Sequence, residues 1–367
     1  MNPPALLSIQ RGCKENNVKK QLGLSLVELM ISIALGLVLM AGVLQMFIST
    51  KSSYTVQQGM SRIQETGRMA MEFMGRDLRI VSQMGCVKTF MPGKDDPFNI
   101  ISPPGLDLGG LHKDFLVGLM GYDNPQALED AGEVVDEALI ASTDPTPNSN
   151  ILVMRGTTEK GFPLSVKSTA DDITVFAGNT ALSNNCIEGL CANGAAVVSD
   201  CDSGVIFSPT TLEKAGQLLT IKHDGGWDGE TDNRYLYEAR PEVFVYPLHT
   251  IVYFVAPSTT ANNEPALWQK LDALPAQELI LGVERIRFTY RLNGQYLAAS
   301  AITVADDWNF VDAVRVDFVV RGQEENALES VQSYTFPGDA AATVPTDRRI
   351  RQLFTNTFSI RTRNNQL

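Results

Sequence analysis

A long apolar run lies near the N-terminus of the chain. Leu29–Leu44 contains no charge and one polar residue, Ser32, and the apolar stretch extends over Leu24–Ile48. A helix needs about 20 such residues to cross a bilayer. Lys19 and Lys20 precede the run, and positive charge is retained on the cytoplasmic side of a membrane helix. The pattern therefore predicts a membrane helix with a cytoplasmic N-terminus and an exported remainder.

After Ser49 the pattern becomes one-sided. Apolar or small residues recur at steps of three and four, which predicts one buried helical stripe made of Val56, Met60, Ile63, Gly67, Met71, Met74, Leu78 and Val81. Charged residues occupy the other faces, namely Arg62, Glu65, Arg68, Glu72, Arg76, Asp77 and Arg79. They lack the regular spacing of a coiled coil. We expect an amphipathic half of the same helix, packed onto a globular head.

The two halves are predicted to form one helix, because no proline lies between Leu24 and Met84. Such a helix would extend ~90 Å at 1.5 Å per residue. Its glycines each weaken helix propensity by about 1 kcal/mol relative to alanine, and they are Gly36, Gly42, Gly59, Gly67 and Gly75. We expect the helix to bend or partly melt at these positions.

The remainder of the chain is typical of short strands separated by turns. Strands are predicted at Ile151–Arg155, Ile173–Phe176, Leu218–Lys222, Val243–Tyr246, Thr250–Val255, Leu279–Tyr290, Ala313–Arg321 and Leu353–Arg361. Ala313–Arg321 alternates apolar and polar positions, which predicts a strand with one face in water. Residues 92–150 and Leu182–Val198 are predicted to be loops, with a short acidic helix over Gly132–Ala141. The pattern favours an α+β fold, with one long helix on a head of antiparallel strands.

Composition and charge limit the number of domains and disfavour one class of function. The chain has 367 residues, 44% of them hydrophobic, which is enough for one large or two modest domains. The formal net charge is −12, and because the first 23 residues carry +3, the remainder carries −15. Nucleic-acid binding is disfavoured, since phosphate contacts require clustered lysine and arginine.

Five cysteines indicate disulfide bonding. Cys13 lies in the basic leader, and four cysteines remain: Cys86, Cys186, Cys191 and Cys201. An even number behind an export segment favours two disulfides in an oxidising compartment. The alternative, a zinc site, lacks a C-x-x-C pair. Connectivity cannot be read from spacing, and our prediction is a short Cys186–Cys191 loop, with Cys86 bonded to Cys201.

Glu28 interrupts the apolar run and needs an explanation. A carboxylate inside a membrane costs about 2.5–3.5 kcal/mol on insertion scales, so it is retained where it finds a partner. A cleaved secretory signal peptide would have its apolar run broken by Glu28 and left too short. A plain single-pass anchor does not account for Glu28 at all.

Gly23 followed by Leu24-Ser25-Leu26-Val27-Glu28-Leu29 resembles the cleavage and methylation motif of type IV prepilins. The resemblance implies that a membrane prepilin peptidase cuts after Gly23 and methylates the new N-terminus at Leu24, with Lys19 and Lys20 as part of the processing signal. It also implies that Glu28 pairs with the N-terminal amine of a neighbouring subunit, because pairing relieves the cost of a buried charge. The chain departs from the motif at Leu24, where phenylalanine is most common.

The leader of 23 residues is also long for that family. Val18 to Gly23 would form a leader of typical length, so we expect a translation start at Val18 through a non-AUG codon as an alternative to Met1. N-terminal sequencing of the precursor distinguishes the two starts.

Later segments resemble the PilW-type minor pilins in particular. They are IQETGRMAMEFMGRDLRIVSQMGC (63–86), DCDSGVIFS (200–208), TIVYFVA and NNEPALWQK (250–270), ELILGVERIRFTYRLNG (278–294), WNFVDAVRVDFVVRG (308–322) and DRRIRQLFTNTFSIRTR (347–363). The resemblance extends over most of the chain, with a gap between Pro92 and Asn150. It implies a type IV pilin-like fold, in which a long helix packs on a β-rich head.

Candidate catalytic and metal residues are few. The histidines are His112, His223 and His249, and no hydrolase, P-loop or metalloprotease motif accompanies them. We therefore expect no catalysis and no cofactor, and we interpret His249 as structural. The loop from His223 to Asn233 holds Asp224, Asp228, Glu230 and Asp232 among glycines, which is a weak calcium candidate because its spacing departs from the EF-hand.

The resemblance implies a minor pilin that initiates assembly of the type IV pilus at its tip. Its segments would be a leader (1–23), a transmembrane assembly helix (24–48), an amphipathic half-helix (49–85) and a periplasmic head (86–367). Expected partners are the prepilin peptidase, other minor pilins, the major pilin, the inner-membrane assembly platform and the membrane itself. The alternatives are a J-type pseudopilin of type II secretion and a membrane-anchored surface adhesin.

Overall fold

A computed structural model describes residues 25–85, 100–101, 115, 117–130, 146, 149–158, 160–169, 171–201, 203–223, 237–272 and 274–360. The chain divides into two units, one ending at Thr55 and the other beginning at Val56. The first unit is helical in its described part, and the second contains the rest of that helix together with all the strands.

The described α-helices are α1 (Leu26–Ile80) and α2 (Pro125–Asp130), and two short 3-10 helices span Ala299–Ala301 and Ala305–Phe310. The first nine strands are β1 (Ile100–Ile101), β2 (Leu119–Tyr122), β3 (Ile151–Thr157), β4 (Phe162–Pro163), β5 (Asp172–Phe176), β6 (Cys186–Ile187), β7 (Leu190–Cys191), β8 (Ala195–Ser199) and β9 (Gly204–Phe207). The other nine are β10 (Pro209–Ala215), β11 (Leu218–His223), β12 (Phe244–Pro257), β13 (Pro265–Leu271), β14 (Gln277–Leu281), β15 (Val283–Leu292), β16 (Gln295–Leu297), β17 (Ala313–Arg321) and β18 (Arg351–Ser359). The α+β fold class predicted from the sequence is confirmed.

The nine-stranded sheet is organised around β12. The first half of β12 pairs with β8 and β4, and its second half pairs with β13 and β3. The remaining strands extend the sheet, β9 and β1 beyond β8, β2 beyond β3, and β14 beyond β13. Of the pairings among the described strands, the two-residue contact of β1 with β9 is parallel and the others are antiparallel.

Two further sheets and a hairpin complete the described head. The three-stranded sheet has the order β10-β11-β5, and the four-stranded sheet has the order β16-β15-β17-β18. Strands β6 and β7 form a short hairpin. The three-stranded sheet and this hairpin share one hydrophobic cluster, whereas the four-stranded sheet shares another with α1.

Most predicted strands are confirmed, but their boundaries contain two errors. Val243–Tyr246 and Thr250–Val255 are one strand, β12, which changes its pairing partners near Pro247. Leu279–Tyr290 is instead two strands, β14 and β15, which meet at Gly282. Gly282 has φ +89°, a conformation that favours glycine, and a Cβ there would lie 2.9 Å from the carbonyl oxygen of Arg321.

The predicted loops are also partly wrong. Residues 92–150 contain β1, β2 and α2, and Leu182–Val198 contains β6, β7 and most of β8. In the second of these, asparagines and a glycine adopt positive φ in the turns around the hairpin, so the turn residues were recognised but the short strands between them were not. The predicted helix at 132–141 lies outside the described residues.

The amphipathic half of α1 packs on the four-stranded sheet. Its buried residues include Ile63, Ala70, Met74 and Leu78, so the predicted stripe is confirmed. The helix is continuous over Leu26–Ile80, and the expectation that it partly melts at its glycines is wrong.

Gly67 and Gly75 instead receive the rings of Phe354 and Phe358 from β18. A Cβ at Gly67 would lie 2.2 Å from the Phe354 ring, and one at Gly75 would lie 2.5 Å from the Phe358 ring. Eight helical residues rise about 12 Å and four strand residues about 13 Å, so the two spacings match. The glycines allow close packing of α1 against β18.

The predicted wet face of β17 is wrong. Asp317 and Val319, on that face, are each 1% exposed. The connection between β17 and β18, residues 322–350, covers this side of the sheet and carries the buried ring of Phe336. The guanidinium of Arg285 lies 4.5 Å from the centre of that ring. Arg285 and Arg287 on the outer face of the sheet thus contact a covering segment, whereas the side chain of Arg315 stays 39% exposed.

Candidate processing and assembly segment

Of the residues predicted to direct processing and assembly, the structure describes Glu28. Lys19, Lys20, Gly23 and Leu24 lie outside the described residues. Glu28 is in the first turn of α1, where a negative charge interacts favourably with the positive end of the helix dipole.

Local hydrogen bonds begin the helix at this point. The backbone N–H of Leu29 donates to the carbonyl oxygen of Ser25 at 3.1 Å, and the Ser32 hydroxyl donates to the carbonyl oxygen of Glu28 at 2.7 Å. The second bond satisfies a polar side chain within an apolar run. The carboxylate of Glu28 is exposed, and among the described residues no basic group forms an ion pair with it.

The apolar half of α1 is exposed along its length. Its large hydrophobic side chains from Leu26 to Ile48 are 52–73% exposed, and an 18-residue window has a mean hydropathy of 2.4. By length and composition, α1 is the one helix of the described chain able to cross a membrane. A surface this apolar is stable only in lipid or against other apolar helices.

A buried polar group joins the end of α1 to the head. Asp77 is 4% exposed and accepts hydrogen bonds from the Tyr253 hydroxyl at 2.7 Å and the Gln269 amide at 2.9 Å. Burial and the neighbouring Asp77 carboxylate raise the pKa of Tyr253. Sequence reasoning placed Asp77 on the solvent-facing side, which is wrong, because its helical position alone does not reveal partners 176 and 192 residues away.

The disulfide between Cys186 and Cys191 closes the β6–β7 hairpin. Cys201 is disulfide-bonded as well. Its predicted partner, Cys86, lies outside the described residues, so that pairing stays a prediction.

Matches to two family models fall on the segments described above. The prokaryotic N-terminal methylation motif matches residues 18–44, and the type IV pilus-assembly protein W family matches residues 252–362. The first match contains Glu28 and most of the exposed apolar half of α1, and the second contains the four-stranded sheet that packs on α1. Both matches support a type IV pilus minor pilin of the PilW family.

No curated protein and no solved structure matches the chain. The PilW match is shorter than the resemblance predicted from sequence, because residues 45–251 lie in neither matched segment. The quoted segments 63–86 and 200–208 therefore lie outside the matches. Phe354 and Phe358, which fit the helix glycines, are within the PilW match. Sequence reasoning did not identify them.

Among the described residues, the histidines form no catalytic group with a nucleophile. His249 lies in β12, and its Nδ1 is 2.6 Å from an oxygen of Asp272, which also accepts the N–H of Thr250. That arrangement fixes a turn at the end of β13. In the described ranges, no three histidine, cysteine or acidic residues are grouped to hold a metal ion. The calcium candidates Asp224, Asp228, Glu230 and Asp232 fall outside those ranges.

Proposed function

We propose that this PilW-family pilin is a minor pilin that initiates assembly of the type IV pilus from the pilus tip. The observation that carries the proposal is the combination of two matched segments in one chain. An exposed apolar helix carries the methylation motif, and the sheet onto which the same helix packs carries the PilW match.

Processing follows from the motif. A prepilin peptidase cuts between Gly23 and Leu24 on the cytoplasmic side, reads Lys19 and Lys20, and methylates the amine of Leu24. Cleavage there leaves the whole apolar helix on the mature protein. It also creates a positive charge four residues before Glu28.

The membrane arrangement follows from charge and from the disulfides. The apolar half of α1 is long enough to span the inner membrane, and the lysines before it hold the N-terminus in the cytoplasm. The head then lies in the periplasm. The Cys186–Cys191 disulfide supports this location, since disulfides persist in oxidising compartments.

Assembly transfers the exposed apolar helix from lipid to a bundle of other pilin helices. Head-to-tail contacts of this kind build open filaments. Glu28 neutralises the N-terminal amine of the adjacent subunit, which sets the axial register. The partners are other minor pilins, the major pilin and the inner-membrane assembly platform. The role is structural, as expected for a family of pilus components, and no catalysis is proposed.

Two other functions predict different phenotypes. A J-type pseudopilin would support protein secretion, and the PilW match over residues 252–362 favours the pilus instead. A surface adhesin would leave pilus formation intact.

Deletion of the gene, with counting of pili by electron microscopy, tests the proposal. We expect loss of surface pili and their restoration by the wild-type gene, but not by a Gly23→Val variant that resists cleavage. Normal piliation with impaired surface binding would contradict a role in initiation and support the adhesin. Normal piliation with impaired secretion would support the pseudopilin.

A further inference from the structure

A cavity of about 800 Å³ opens on the outer face of the four-stranded sheet, on the side opposite α1. Strands β15 and β17 form its floor. The turn before α2, the segment after β16 and residues 337–338 form its walls. Neither family match nor the proposed assembly role assigns a function to this cavity.

The register of the two strands determines which side chains meet on the floor. Thr289 is directly opposite Arg315, and Arg287 is directly opposite Asp317. Opposed residues of an antiparallel pair point to the same face, so all four side chains are on the cavity side of the sheet.

The carboxylates that line the cavity already have donors. The two oxygens of Asp123 accept the backbone N–H groups of Ala299 and Ser300 at 3.1 and 3.0 Å. Asp317 accepts from the Thr355 hydroxyl at 2.6 Å and from Nε of Arg315 at 3.2 Å. These bonds leave the carboxylates little capacity to bind a cation or a ligand hydroxyl.

Two of the three arginines that line the cavity are already bound to a carboxylate of the protein. Arg285 makes a bidentate pair with Asp339 at 2.6 and 3.0 Å, and Arg287 contacts the same carboxylate at 3.1 Å. Both guanidiniums lie over the ring of Phe336. The two guanidinium groups therefore form a fixed, positively charged part of the cavity wall.

Arg315 differs from the other two arginines. Its Nε contacts Asp317, and its two terminal nitrogens have no partner among the described residues. Its side chain is 39% exposed. Because Asp317 holds the guanidinium in place, the two terminal N–H groups form a fixed fork, which matches the geometry of a carboxylate.

Two further side chains line the cavity. The amide nitrogen of Asn124 has no partner among the described residues, since the contact made by this side chain uses its oxygen, which accepts the N–H of Ala127. Tyr296 lines the same cavity and is 44% exposed, which offers an aromatic surface.

We propose that this cavity binds an acidic saccharide, with the sugar carboxylate on the Arg315 fork, a sugar hydroxyl on the Asn124 amide, and the sugar ring against Tyr296. A sugar acid has a carboxylate, hydroxyl groups and a ring face, whereas a simple carboxylate would contact the Arg315 fork alone. The proposal does not depend on the assembly role, because it concerns a surface of the head away from α1.

Binding of glucuronate to the purified full chain in detergent, measured by saturation-transfer NMR, tests the proposal. Glucose and acetate serve as probes that lack the carboxylate and the sugar ring, respectively. We expect glucuronate to bind about tenfold more tightly than either, as the loss of one hydrogen bond to a charged group predicts. Equal binding of acetate, or no binding of glucuronate, would overturn the assignment.

Two substitutions locate the binding to the cavity. Arg315→Lys keeps the charge but removes the fork, and Tyr296→Ala removes the exposed aromatic surface. Each is expected to weaken glucuronate binding by about tenfold with an unchanged thermal midpoint. The matched controls Arg348→Lys and Phe176→Ala lie outside the lining and should bind as the wild type does. Wild-type affinity in both cavity variants would show that the sugar binds elsewhere.

Discussion

Glu28 lies in the first turn of α1 with an exposed carboxylate among large apolar side chains. In a membrane or a helix bundle this charge is costly unless a cation neutralises it. Under the proposed function, cleavage before Leu24 would create such a cation, on the same subunit or a neighbour. On the same subunit this amine would be four residues before Glu28 in sequence. We expect a neighbour's amine to add stability at the moment of assembly.

Glu28→Ala is therefore expected to leave cleavage intact and to reduce incorporation into pili severely. Immunoblotting separates the precursor from the mature chain, and comparison of sheared pili with membranes measures incorporation. Glu65→Ala is the matched control, because Glu65 is exposed on the same helix and far from the processing site. Normal incorporation of the Glu28 variant would refute pairing with a neighbour's amine.

Gly67 provides a second test at the level of one residue. Alanine is about 1 kcal/mol better than glycine in a helix. Nevertheless, we expect Gly67→Ala to destabilise the chain by about 1–3 kcal/mol, since three atoms of the Phe354 ring lie 2.2–2.6 Å from its added Cβ. Thermal unfolding of the full chain in detergent measures the change.

Gly59→Ala is the control for Gly67, because its Cβ would meet one flexible methyl of Ile350 at 3.3 Å. We expect this variant to be neutral or slightly stabilised. A stabilised Gly67→Ala would contradict the close packing of α1 on β18.

The buried stripe of α1 and the Gly23–Glu28 motif can be predicted from sequence because both are local patterns. The packing role of Gly67 and Gly75 cannot be predicted in this way, because it depends on the rings of Phe354 and Phe358, more than 280 residues later in the chain. Asp77 was misplaced for the same reason. Its position on the helix is local information, whereas Tyr253 and Gln269 come from the distant strands β12 and β13.

At the scale of elements, the connection over residues 322–350 determines how much of the outer face of β17 is buried. It is held by charge pairs at several points. Asp347 pairs with Arg351 at 2.6 Å, Asp339 pairs with Arg285 at 2.6 Å, and Arg349 pairs with Glu264 at 2.9 Å. The Arg351 guanidinium lowers the pKa of Asp347 to about 2.

This pKa shift makes stability depend on pH. The pKa of Asp347 is lowered from its ordinary value of 3.8. The stability that the ionised carboxylate contributes to the fold is therefore present above pH 3.8 and is lost as the pH falls toward 2. Asp347→Asn should lower the free energy of unfolding by on the order of 1–2 kcal/mol near neutral pH. The difference from wild type should shrink in acid. Thermal midpoints measured across this pH range provide the check.

Glu329→Gln, an exposed carboxylate on the same connection, is the control and should change little at any pH. If the difference between Asp347→Asn and the wild type were independent of pH, ionic attachment of this connection would be contradicted.

Strands with strong alternation, such as β17, were predicted with correct bounds, whereas the environment of their faces was not. The alternation of Arg315, Asp317 and Arg321 with apolar residues is typical of a wet face. Residues 322–350 cover that face through ion pairs and the ring of Phe336. The sequence pattern cannot distinguish water from a charged covering segment, because both accept the same side chains.

At the scale of the whole molecule, the two predicted disulfides differ in the length of chain they close. Cys186 and Cys191 are 5 residues apart, whereas Cys86 and Cys201 are 115 apart. Loop-closure entropy predicts a loss of about 2 kcal/mol for Cys186→Ser and about 4–5 kcal/mol for Cys201→Ser. Non-reducing peptide mapping should recover a Cys86–Cys201 peptide, and a Cys13–Cys201 peptide from the mature chain would contradict both the pairing and the cleavage site.

The central claim concerns how the molecule enters a filament, and it requires a mature chain that begins with the apolar helix. Intact-mass and N-terminal peptide mass spectrometry of the protein isolated from membranes tests this most directly. The account predicts a mature chain that begins at N-methylated Leu24, with Glu28 as its fifth residue. A mature chain that retains Gly23, or one that begins after the apolar helix, would contradict it.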